Sequence, residues 1–107
     1  MSREEQTLLQ ELKTTAKMVV PSGGQVWLFG SRARGEAKND SDWDLLILVD
    51  KESVNSNDED TISYPFVEAG WHHASAVNPL LYTYKEWEKR SLTQFHKNVE
   101  QDKIQIL

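Results

Sequence analysis

Two short strand-like runs, at residues 26–29 and 42–49, lie between two helical stripes that each open with a capping-box signature. This alternation constrains the fold more than any other feature of the chain. Ser2-Arg-Glu-Glu5 starts the first stripe, with a hydroxyl and a glutamate placed to satisfy reciprocal backbone amides. Leu8, Leu9, Leu12, Ala16 and Val19 then recur at helical spacing, which predicts a helix over residues 3–18. Pro21-Ser-Gly-Gly24 ends it. Val26-Trp-Leu-Phe29 has the length of a largely buried strand, and Gly30-Ser31 stops it. A turn or two of helix over residues 32–36, a polar turn over 37–41 and a second strand over 42–49 are expected next.

Residues 50–60 carry five acids against Lys51 and are expected to form a solvated loop. Pro65 should stop a helix from running straight through residues 61–70, leaving room for a short one after it. Residues 72–82 are predicted extended, with Pro79 placing that strand at an edge or ending it. Thr83-Tyr-Lys-Glu86 repeats the capping box, and Trp87, Leu92, Phe95 and Val99 predict a helix over residues 84–99. Residues 104–107 are expected to add a short extended segment.

At 107 residues the chain has the size of one compact domain, residues 1–107. No cysteine is present, so disulfides and thiolate metal sites are excluded and the cytoplasm is the expected compartment. Nothing in the sequence has the length and apolarity of a membrane span, and a soluble chain is expected. Twelve Lys and Arg against seventeen Asp and Glu give a net charge of −5, which weighs against binding an extended nucleic acid, since that grip comes from basic surface.

The chemistry is concentrated in residues 29–45. Gly30-Ser31 closes a strand at a helix N-terminus, where a missing Cβ allows close approach and free amides and a hydroxyl face an anion. Asp42 and Asp44 are two apart on a strand, so both carboxylates project from one face while Trp43 and Leu45 turn to the other. Two such charges repel by about 1 kcal/mol in water and about 4 kcal/mol at an effective dielectric of 20, a cost that a divalent cation removes. Carboxylate, phosphate and water oxygens are the ligands that Mg²⁺ prefers. Arg32 and Arg34 can add guanidinium contacts to phosphates, and Ser41 is counted with the nucleotide-side residues. Either half alone is ordinary turn chemistry; their order along the chain makes the pattern specific.

Gly30-Ser31, Arg32-Ala-Arg-Gly35 and Ser41-Asp42-Trp-Asp44-Leu45 resemble the signature of the polymerase-beta-type nucleotidyltransferases, in their smallest form, the minimal nucleotidyltransferases. The resemblance implies an α+β fold, a small mixed β-sheet flanked by α-helices. It implies a site for a nucleoside triphosphate, with ATP expected, and Mg²⁺ in up to two positions. Gly30 and Ser31 would hold the triphosphate, and Asp42 and Asp44 would bind metal and carry catalysis. The implied reaction is transfer of a nucleotidyl, expectedly adenylyl, group to a protein or small-molecule acceptor. A HEPN-domain protein is the implied partner, as in toxin–antitoxin pairs with a minimal nucleotidyltransferase antitoxin. Trp71, Trp87 and Tyr84 are candidates for an oligomer face, with core packing also open to Trp87.

The family's third metal-binding carboxylate is expected near Ser75 or Ala76, and no Asp or Glu lies between Glu68 and Glu86. Glu68 or His72 are the substitutes the sequence offers; His96 is expected to face solvent or a partner. Three readings follow: an active transferase, a nucleotide- or partner-binding module that has lost turnover, and a scaffold.

Overall fold

The computed structural model describes residues 1–107. Helix α1 spans Arg3–Val19, and its capping box forms: Ser2 Oγ accepts from the Glu5 amide and the Glu5 carboxylate accepts from the Ser2 amide. Its Leu8, Leu12 and Ala16 are buried against the sheet, each leucine contributing roughly 1.5–3 kcal/mol relative to exposure. Strand β1 (Gln25–Phe29) leads through a single turn of helix, α2 (Ser31–Arg34), to strand β2 (Trp43–Val49). Short helix α3 (Ser56–Asp58), a π-helical turn (Glu59–Ser63) and α4 (Tyr64–Trp71) cross to β3 (Val77–Thr83). Helices α5 (Tyr84–Glu88) and α6 (Gln94–Asp102) and a two-residue strand β4 (Ile104–Gln105) complete the chain.

The sheet has the order β3-β2-β1-β4, with β2 antiparallel to β1 and parallel to β3, so the expected small mixed sheet flanked by helices is what forms. Period-two alternation divides the core. Val26, Leu28, Leu45, Ile47, Val49, Val77 and Leu81 pack under α1 and α4. On the other face Phe29, Leu46 and Leu48 pack with Trp87 and Val99 of α5 and α6. Asp44 belongs by parity to this second face, beyond the end of its apolar cover. No helix is long and apolar enough to cross a membrane.

Several local expectations are corrected. The acidic run is a loop only as far as Asn55; helix then begins, and Asp58 is buried, bonded to Lys51 and to the Asn55 amide that it caps. Pro65 does not break the helix, because the π turn before it bonds Tyr64 N to the Glu59 carbonyl. The wider winding moves the preceding turn away from the proline ring. Residues 72–76 are a turn after α4, with Ala74 at φ 51°, and extension starts only at Val77. Pro79 does sit in an edge strand. The helix predicted over residues 84–99 is two helices, because the Thr93 hydroxyl accepts from the His96 amide and starts a new one, leaving Leu92 90% exposed.

Candidate functional site

Gly30 has φ 75° and ψ −159°, a region open essentially to glycine alone. That bend ends β1 and starts α2, and Phe29 pairs with Asp44 across the β1–β2 ladder. The consequence is close contact: a Cβ on Gly30 would stand 2.5 Å from Asp44 Oδ2. The Gly-Ser bend and the acid pair are therefore one site. The Ala33 and Arg34 amides of α2 both donate to the Gly30 carbonyl, at 3.0 and 3.1 Å, so that Ser31 opens the helix directly after the bend.

Asp42 precedes β2 and is exposed; Asp44 is half-buried. Their carboxylates converge on one group, the Asn78 side-chain amide, whose Nδ2 donates to Asp42 Oδ2 at 2.9 Å and to Asp44 Oδ1 at 3.4 Å. Both carboxylates accept only, so the amide must present its NH₂ to them. Asn78 arrives there by register. The Trp43 amide donates to the Ala76 carbonyl at 2.9 Å, opening a parallel ladder that sets Val77 beside Trp43 and Asn78 beside Asp44.

The β3 side chain brought to the acid pair is thus that of Asn78, not of Ser75 or Ala76. The sequence signal was present: Asn78 is the one polar residue in the run Ala76-Val-Asn-Pro-Leu-Leu81, and the proline after it enforces extended backbone. It is missed when only acids are sought. Neither suggested substitute reaches the site, since Glu68 and His72 belong to α4 and its C-terminal end, against the opposite face of the sheet. His72 Nδ1 instead meets Glu11 Oε2 at 2.8 Å, and His73 Nε2 meets Glu11 Oε1 at 3.1 Å. These contacts, His72 first, hold the Glu11 carboxyl below its ordinary range.

The remaining nucleotide-side candidates have partners within the chain. Arg32 is buried; it donates to the carbonyls of Ser41 and Asn39 and to Glu5 Oε2, and it lies 4.8 Å from the centre of the Trp43 ring. It clips the 39–41 turn to α1. Arg34 pairs with Asp102 at 2.8 Å and with Glu36 at 3.3 Å, contacts that raise its guanidinium further above its ordinary value. Ser41 Oγ accepts from the Lys38 amide at 2.8 Å and closes the same turn. Of the aromatic candidates, Trp87 is buried and donates to Glu100, Tyr84 is half-buried and donates to the Gly23 carbonyl, and Trp71 is 60% exposed. His96 is half-buried and stacks on Trp87, so it does not simply face outward.

A four-stranded mixed sheet with a Gly-Ser bend against an Asp-x-Asp strand defines a nucleotidyltransferase-type protein. A family model for the nucleotidyltransferase domain matches residues 6–107, and the chain belongs to that family. Among solved structures, a toxin–antitoxin crystal structure with AMP-PNP is similar in fold, with TM-score 0.66 and 15% identity over 92% of this chain and 72% of that one. A Sulfolobus solfataricus crystal structure assigned as a nucleotidyltransferase has TM-score 0.56 and 21% identity over 98% of this chain and 87% of that one. No curated protein matches the sequence.

Proposed function

We propose that the chain binds a nucleoside triphosphate, ATP by expectation, at the Gly30-Ser31 bend and transfers its nucleotidyl group to a protein acceptor. The observation that carries this reading is the contact of the Asp44 carboxylate with Gly30, which joins the phosphate seat to the acid pair. In the transfer, an acceptor oxygen forms a bond to the α-phosphorus, the bond to the pyrophosphate oxygen breaks, and the acceptor proton passes to solvent.

The donor set fits a divalent cation such as Mg²⁺: Asp42 and Asp44 supply two oxygen-bearing side chains aimed at one point, marked by the Asn78 amide. Bound there, the ion would neutralise charge on the triphosphate. No third His, Cys, Asp or Glu side chain joins Asp42 and Asp44 in a group that could hold a metal ion, so the carboxylate set for a second ion is incomplete. That observation favours, as a second reading, a module that binds nucleotide with little or no turnover.

The toxin–antitoxin neighbour supports a protein partner, for which a HEPN-domain protein is the candidate, and the net charge of −5 supports a protein rather than a polynucleotide acceptor. Incubation with α-labelled ATP, Mg²⁺ or Mn²⁺ and a HEPN-domain protein tests this. Label on the acceptor, lost in Asp42→Asn and Asp44→Asn with the fold retained, is expected. Equal transfer by both variants rejects the site. Tight triphosphate binding with no transfer selects the second reading.

A further inference from the structure

We propose that Asn78 limits this chain to one divalent cation at the Asp42–Asp44 pair, so that any transfer there proceeds with the single ion held with the triphosphate. The inference rests on the nucleotide site proposed above and concerns what that site can hold.

Parallel pairing fixes Asn78 directly beside Asp44, and its Nδ2 lies within hydrogen-bonding reach of both carboxylates. The two amide protons bridge the carboxylates in the manner of a cation, but the group is neutral. Two carboxylates match one dication in charge. A second dication about 3.5–4 Å away would find the triphosphate's charge but no third anionic side chain to hold it on the acceptor side.

Of the other acids, none joins the pair in a group of three that could hold a metal ion, and Glu86 and Glu5 are engaged elsewhere. Glu86, which follows β3, caps its own helix by accepting from the Thr83 amide at 2.8 Å. Glu5 accepts from Arg32 and from the Ser2 amide. Asn78 itself can offer an ion only its carbonyl oxygen, and only after turning its amide over and giving up both hydrogen bonds. An aspartate there would replace NH₂ by a charged oxygen of nearly the same size, on backbone already held extended by Pro79. One atom at residue 78 thus sets the ion count.

The test is a Mn²⁺ titration of the full chain, with bound ions counted from loss of the free-ion paramagnetic resonance signal, alone and with a non-hydrolysable triphosphate analogue. Wild type is expected to bind one ion per chain in the presence of the analogue, and Asn78→Asp two. Two ions in wild type, none in wild type, or a single ion in both proteins overturns the proposal. Should Asn78→Asp fail to fold, the wild-type count alone decides, one supporting and any other number overturning. Binding of a fluorescent triphosphate is followed separately. One ion without triphosphate binding sinks the nucleotide reading and leaves the ion limit standing, whereas triphosphate bound with two ions does the reverse.

Discussion

Asp44 Oδ2 occupies the space into which any side chain on Gly30 would project, 2.5 Å from where a Cβ would stand. An acidic strand end and a left-handed bend, fourteen positions apart in sequence, are therefore held as one unit by the absence of a methyl group.

Gly30→Ala should accordingly do more damage than Gly35→Ala, although both glycines have φ near 75°. At Gly35 a methyl group would meet nothing within 4 Å and ψ is 20°, so the cost is the left-handed backbone alone, about 1–2 kcal/mol. At Gly30 the backbone region costs about 1–3 kcal/mol, and the carboxylate must also move. Urea unfolding should rank the two, and triphosphate binding should fail only in Gly30→Ala. Matching losses of binding would show that the Asp44 contact is unimportant.

Arg32 is expected to act on stability first. Its four hydrogen bonds fasten the 39–41 turn to α1, and two of them go to the Ser41 carbonyl from Nε and Nη2. Arg32→Ala should cost roughly 2–3 kcal/mol. Arg32→Lys should recover only part of that, because an ammonium cannot fork onto one carbonyl as a guanidinium does. Urea unfolding of both variants checks this. A fully stable Arg32→Lys with weakened triphosphate binding would instead make Arg32 a phosphate ligand.

Capping boxes and apolar spacing made α1, β1, β2 and the start of α5 legible in the sequence, because those signals act within a few residues. The break at Thr93 and the π turn before Pro65 were not, since each depends on a choice between two local hydrogen-bond patterns that tertiary packing decides. The acid pair and the Gly-Ser bend were legible for the same reason as the helices: each half is local. Asn78 was not, because parallel pairing brings it to Asp44 across 34 positions of chain, and register is not written in either strand alone. The burial of Arg32 was not legible either, because a basic residue after Gly-Ser looks the same in sequence whether its guanidinium turns outward or inward onto Trp43.

The clasp of Glu11 between His72 and His73 should give the protein an acid-sensitive component of stability. These hydrogen bonds lower the Glu11 carboxyl in the folded chain, His72 first, so the unfolded chain binds that proton more readily. The resulting stability is present above the ordinary glutamate range, about 4.3, and is lost as pH falls through the lower folded value. All three side chains are partly or largely exposed, so solvent screening keeps the contribution to about 0.5 kcal/mol, or roughly 2–4 °C in melting temperature. Glu11→Gln should therefore melt slightly below wild type at neutral pH, with the two curves meeting in acid. Thermal melts across that range measure the difference, and a gap that persists well below the ordinary glutamate range would show that the carboxylate is not held by the histidines.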